Sequence, residues 1–350
     1  MVLKAVESTV RRRKSQSAFP TLPLLLDGSW VAAVDMGASN LRFGRTDARG
    51  RITLGTVERV RPEVGPAGVI AQIKKGIQNL NRSSQRPAGG ATTSNLAAIG
   101  VGVPSAVDPR TGRVSWANNL PGWREIDLRG ALTSEFGVPV VVDNDANMAA
   151  LGEQWKGAAR RAANFVFVAL GTGIGAGIVV DGRLCRGRTG NAGELYRLNV
   201  EWRRWAQAFP DTGYFESHVA GLGVAAAGRR ALGGRHMRGV QNLVQARSAG
   251  FVFKAFRDND PRARAVLERA FTILGVGMAD LVCVLDPDLI VFGGGLVNGA
   301  PQFMLQIVNR VLRAIHPDIA PPVCFTALGD RAQLYGAAFA ALTAARPSAT

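Results

Sequence analysis

Two acids and two amides stand within five residues at Asp143-Asn144-Asp145-Ala146-Asn147, after the apolar run Val138–Val142 and at the start of a helical pattern over Ala146–Trp155. A strand that ends where a helix begins needs one capping side chain, and a single Asp or Asn supplies it. Two acids and two amides exceed that need. A carboxylate here can accept the proton of a substrate hydroxyl, while the amides hold neighbouring hydroxyls.

Three glycine turns accompany this cluster. Asp35-Met36-Gly37-Ala38-Ser39-Asn40-Leu41-Arg42 follows the apolar strand Val31–Asp35 directly. Its exposed backbone N–H groups can hold phosphate oxygens. Asp35 at the strand end can hold Mg²⁺ through water, although an ordinary hairpin with a capping Asp reads the same way. Leu170-Gly171-Thr172-Gly173-Ile174-Gly175-Ala176-Gly177 is denser in glycine, which suits a phosphate-binding hairpin or two strands packed closely on another backbone. Leu289–Phe292 runs into Gly293-Gly294-Gly295, an open backbone that could lie flat against a nucleotide base or ribose. Gly190-Asn191-Ala192-Gly193-Glu194 is a further polar turn. His218, His236 and His316 lack metal-ligand spacing. Cys185, Cys283 and Cys324 form no CxxC pair; Cys283 and Cys324 lie among apolar residues and are expected to be buried.

The elements that must carry these turns alternate between strand and helix. Strands are expected at Leu41–Thr46, Ile52–Val57, Ala97–Val103, Asn164–Leu170, Gly175–Val180 and Val323–Thr326, with helices at Val69–Leu80, Leu128–Phe136, Ala263–Leu285, Phe303–Ile315 and Gln333–Ala344. Glycine turns follow strands in both halves. The pattern predicts two similar α/β lobes that each offer such a turn to a shared cleft.

The 350 residues suffice for two domains, and 47% hydrophobic with 19% charged residues is a globular balance. No apolar run approaches the roughly 20 residues of a membrane helix. The net charge of +16 is dispersed over the chain with no base-reading motif, which favours general attraction of anions over nucleic-acid binding. Residues 1–30 read as a flexible basic tail around Arg11-Arg12-Arg13-Lys14, and Leu22–Leu26, interrupted by Pro23, is too short for a signal-peptide core. A cytoplasmic protein is expected.

Taken in order, these motifs resemble the ROK family, bacterial sugar kinases and related repressors with the actin-like ATPase fold. Asp35–Arg42 is similar to its first phosphate motif. Gly100-Val101-Gly102-Val103-Pro104 with Asp108 resembles its GxGxPxxxD stretch, and Asn119-Leu120-Pro121-Gly122-Trp123 its sugar loop. Asn144-Asp145-Ala146-Asn147 with Ala150-Leu151-Gly152-Glu153 resembles its NDAN…ALGE signature, whose Asp is the catalytic base. Gly171–Gly177 resembles the second phosphate motif and Asp286–Leu296 the adenosine motif.

The resemblance implies two actin-like (RNase H-like) lobes with the active site in the cleft between them. Residues 31–143 plus 331–350 would form the N-terminal lobe and 144–330 the C-terminal lobe. It implies ATP and Mg²⁺, with Asp145 as general base. Asp35, Gly37, Ser39, Asn40, Gly171, Thr172, Gly173, Gly293, Gly294 and Gly295 would hold the nucleotide and its metal. Asn119, Asn144, Glu194, Arg197 and Glu216 would hold a small polyol in a homodimeric enzyme. Polyphosphate as donor, a sugar-responsive regulator and an inactive scaffold are the rival readings.

Departures from the family pattern bear on the acceptor. Gly37-Ala38-Ser39 stands where Gly-Gly-Thr is usual. Arg197 stands where the family has a His that touches sugar and zinc, and the three zinc cysteines are missing near Gly213-Tyr214-Phe215-Glu216. No structural zinc is therefore expected. Arg197 suits an acceptor oxygen, which points to a C7 cyclitol or an amino sugar rather than glucose. The alternative is that Arg197 pairs with Glu201 and leaves an ordinary hexose site.

Overall fold

The computed structural model describes residues 28–37, 39–82, 95–116, 121–201, 203, 213–233 and 248–345. These fall into two compact units. One holds 28–161, 182–192 and 330–345, and the other 162–181 and 193–329.

The first unit is built on β1 (Trp30–Met36), β2 (Asn40–Asp47), β3 (Ile52–Arg59), α1 (Gly65–Arg82) and β4 (Leu96–Val103). The small strands β5 (Ala106–Val107), β6 (Val114–Trp116) and β7 (Arg124–Ile126) follow, then α2 (Leu128–Phe136), β8 (Val140–Asn144) and α3 (Asp145–Lys156). The main sheet has the order β3-β2-β1-β4-β8. β1 pairs antiparallel with β2 and parallel with β4, and β4 parallel with β8. All seven residues of β1 are buried, as its nearly unbroken apolar sequence requires of a central strand. β3 closes the edge and is largely exposed. On α1, Val69, Ile73, Ile77 and Leu80 recur at helical spacing, and all are buried.

The second unit repeats the plan. β9 (Phe165–Leu170) and β10 (Ile174–Val180) form an antiparallel hairpin. After β11 (Arg183–Cys185), which belongs to the 182–192 segment of the first unit, come α4 (Glu216–Val219), α5 (Gly221–Leu232), α6 (Gly250–Arg257), α7 (Pro261–Leu285), β12 (Leu289–Gly293), α8 (Pro301–Ile315) and β13 (Val323–Phe325). β12 pairs parallel with β9 on one side and with β13 on the other. The Asp260 carboxylate caps α7 with Pro261 in its first turn, and Asp286 ends it in the left-handed region at φ +41°, ahead of Pro287. No described helix is long and apolar enough to cross a membrane.

The chain then returns to the first unit as α9 (Ala332–Ala344). Gly336 on α9 lies so close to Met148 O, and Gly152 on α3 so close to Ala332 O, that a methyl group at either would overlap backbone. This fit explains a difference from the sequence-based boundaries. Residues 144–161 group with the first unit, not with the second, because α3 packs along α9. Cys283 also differs from expectation: it is exposed on the solvent side of α7, beside Val284, and Cys324 is half-buried.

Candidate functional site

Asp35 is the last residue but one of β1, with its side chain wholly buried. Arg42, opposite it across the hairpin, donates Nη1 to Oδ2 at 2.9 Å. The Gln333 amide of α9, turned with its nitrogen toward the acid, donates to Oδ1 at 2.7 Å and Oδ2 at 3.2 Å. Burial pushes the Asp35 carboxyl up to about 6, against the pull of the Arg42 guanidinium. Gly37, Ser39 and Asn40 make the hairpin turn, with Gly37 N donating to Asn40 O at 2.9 Å and Val60 N to Ser39 O at 3.0 Å. One carboxylate beside a turn of this kind is a donor set that Mg²⁺ meets through its retained water, alongside substrate phosphates.

At the start of α3 the cap is the amide, not an acid. Asn144 Oδ1 accepts Ala146 N at 2.8 Å and Asn147 N at 3.4 Å, and its Nδ2 donates to Ser105 O at 3.2 Å. Asp143 is buried; its Oδ1 accepts Asn144 N and Asn147 Nδ2, both at 2.8 Å, and its Oδ2 accepts Arg186 Nε at 2.6 Å. Asp145 is the first residue of α3, half-buried, with Oδ1 accepting Ala146 N at 2.8 Å. Three of the four polar members of the cluster thus brace the turn that presents the fourth. Asn144, expected to bind substrate, has most of its capacity taken up by that bracing.

In the second unit, Gly171 N donates to Gly173 O at 2.9 Å, and the turn sits on the start of α5, where Gly221 N donates to Gly171 O at 2.9 Å. Leu222 N also donates to Thr172 O at 3.3 Å. Glu216 Oε2 accepts Ile174 N at 2.9 Å, and a methyl at Gly173 would overlap that oxygen. The turn Gly293-Gly294-Gly295 borders the same strand end. Gly294 has φ +98°, a side chain there would overlap Leu170 O, and Leu296 N donates to Leu170 O at 3.1 Å. Both glycine turns of this unit therefore flank the end of β9.

Glu194 and Glu216 share an electrostatic environment. Burial raises both carboxyls, Glu216 raises Glu194 further, and the Arg197 guanidinium opposes it. Arg197 is exposed and folds over Tyr196, with Nε donating to the phenol oxygen at 2.6 Å and the guanidinium 5.1 Å from the ring centroid. It does not pair with Glu201, whose carboxylate faces Arg203 at 3.9 Å. Asn119 lies outside the described residues. Among the described residues, no group of three or more His, Cys, Asp or Glu is placed to hold a metal ion.

Sequence reasoning missed Arg186, Gln333 and the role of Arg42. Arg186 is one of three arginines in six residues, with nothing local to mark it. Gln333 reaches Asp35 only through the return of α9.

The sequence pattern of the ROK family matches residues 31–344. A glucokinase of Halalkalibacterium halodurans is 30% identical over 314 residues, covering 88% of this chain and 93% of that one. A xylose repressor of Bacillus spizizenii is 26% identical, covering 87% of this chain and 76% of its own length. Among solved structures, a ROK family glucokinase from Streptomyces griseus in complex with glucose and AMPPNP superposes with a TM-score of 0.73 at 25% identity, covering 90% of this chain and all of that one.

Proposed function

The chain belongs to the ROK family, with the actin-like α/β fold of its kinases, and from that premise we propose that it transfers the γ-phosphoryl group of ATP to a hydroxyl of a sugar or sugar-like polyol. The observation that carries this reading is Asp145: it opens α3 while its polar neighbours Asp143, Asn144 and Asn147 hold the turn in place. Asp145 accepts the proton of the attacking hydroxyl. The turn amides at Gly37, Ser39 and Asn40 and at Gly171, Thr172 and Gly173 hold phosphate oxygens, and the Gly293–Gly295 backbone holds the nucleoside. Asp35 would hold Mg²⁺ through water, and that ion would neutralise phosphate charge. Positioning and charge stabilisation then provide most of the acceleration.

Glu194 and Glu216 accept hydrogen bonds from ring hydroxyls. Arg197 beside them offers donors only and carries a fixed charge, which favours an acceptor that presents an oxygen, such as a C7 cyclitol ketone or an amino sugar with its amine elsewhere. A plain hexose is the second reading, supported by the glucokinase relatives and by the way Arg197 is engaged with Tyr196. The deciding experiment is ADP release with hexoses, amino sugars and cyclitols, with ATP and polyphosphate compared as donors. A preference for glucose of about tenfold or more in kcat/KM, roughly 1.4 kcal/mol, makes Arg197 structural. No turnover with any polyol while a sugar alters DNA binding favours the regulator reading.

A further inference from the structure

Asp143 has no part in the chemistry above, yet its carboxylate accepts three hydrogen bonds. Its side chain is 6% exposed and pairs with an Arg186 that is 36% exposed. An exposed bridge contributes at most about 1 kcal/mol. A shielded one is different, because removing one partner strands a buried charge. The bond joins residues 43 positions apart. The other oxygen of Asp143 takes Asn144 N and Asn147 Nδ2. One carboxylate therefore grips the chain on both sides of Asp145.

The segment that carries Arg186 is itself pinned. Ala192 N donates to Arg186 O at 3.2 Å. Gly187 and Gly190 sit at φ +71° and +77°, and a side chain at Gly190 would overlap Val107 O. Leu184, two residues earlier, packs against the apolar cluster to which Met148 and Leu151 of α3 belong. The guanidinium is delivered to Asp143 by a backbone with few alternatives. Its Nε–H lies in the guanidinium plane, so the bond fixes direction as well as charge.

We propose that Arg186 is a positioning residue for Asp145: acting through Asp143, it sets the rotation of the first turn of α3 and so the direction of the Asp145 carboxylate. This rests on Asp145 being the general base, a role in which a misplacement of about 1 Å can cost on the order of 10²-fold in rate.

Arg186→Ala and Arg186→Lys test it in the full chain, by two readouts. The first is amide hydrogen exchange of residues 144–148 in the unliganded protein. It should quicken by about tenfold or more in both variants while α7 is unchanged, since lysine keeps the charge but not the planar Nε–H. The second is steady-state kinetics, where kcat should fall by roughly 10- to 100-fold with both KM values within about twofold. Asp143→Asn should behave likewise, and the double variant should be no worse than the poorer single one. Exchange at 144–148 within about twofold of wild type, or an equal rise throughout both units, overturns the proposal. A wild-type protein that phosphorylates no polyol would instead overturn the functional reading, and exchange would still decide whether Arg186 holds the turn.

Discussion

The carboxylate of Glu216 accepts the amide of Ile174 at 2.9 Å, so a side chain from the single-turn helix α4 closes the glycine turn that leaves β9. An acid assigned to the acceptor is thereby bonded to the residue that directly follows the turn assigned to the donor's phosphates. Glu216→Gln keeps an oxygen for Ile174 but adds donors where an acceptor was. It should raise the acceptor KM by about tenfold and leave the ATP KM within about threefold, whereas Glu216→Ala should raise both. Initial rates over a grid of both substrates separate the two patterns. Equal effects of the two variants on both constants would show that Glu216 acts only on the turn.

Asp145→Asn should fold as the wild type and bind both substrates, with kcat lower by on the order of 10²–10⁴. Calorimetric binding and turnover on one sample check this. More than about half of wild-type kcat would remove Asp145 from the role of base.

Burial pushes the Asp35 carboxyl up to about 6 in the folded chain, from 3.8 as a free side chain. The folded state thus holds this proton more tightly than the unfolded one. Its contribution favours folding fully below about pH 4 and is lost as pH rises through 6. Asp35→Asn should therefore gain stability relative to wild type between pH 4.5 and 7.5, by on the order of 1–3 kcal/mol, measured by urea unfolding at both values. For function the sign reverses. The charged form is the one proposed to serve the metal, so wild-type kcat/KM for MgATP should fall as pH drops below about 6, a limb absent from the residual activity of Asp35→Asn.

Gly294→Ala places a methyl against Leu170 O at a residue with φ +98°. Both effects oppose it, and a loss of about 2 kcal/mol or more in stability is expected, together with a raised ATP KM. Thermal unfolding with and without ATP checks this, and an unchanged Tm would contradict the geometry.

Most of the strands and long helices were legible because their apolar spacing is strong. The expectation of Leu128–Phe136 matches α2 residue for residue, and Ala263–Leu285 falls two residues short of the capped start of α7. Three of the described α-helices were not foreseen. Glu216–Val219 is a single turn, Gly221–Leu232 is rich in Gly and Ala, whose small side chains write a faint periodicity, and Gly250–Arg257 is short. The three-stranded sheet β5-β6-β7 has strands of two or three residues, below what alternation can register. Within the candidate site, the residues to which chemistry is assigned stand in dense local motifs. Those that hold them, Arg186 and Gln333, come from distant segments, and sequence spacing does not encode such partners.

The return of α9 to the first sheet also sets an order of events during synthesis. β1 and β4 leave the ribosome early, but the helix whose Ala337 lies against Gly100 of β4 emerges last of the described elements. At roughly 5–20 residues per second, about 15–60 s separate them. Over that interval residues 162–181 and 193–329 can complete their own core, while the earlier-made sheet waits with one apolar face uncovered. The first unit to be translated is thus the last to be finished, and a chain cut short before 332 leaves that face open to chaperones or to aggregation.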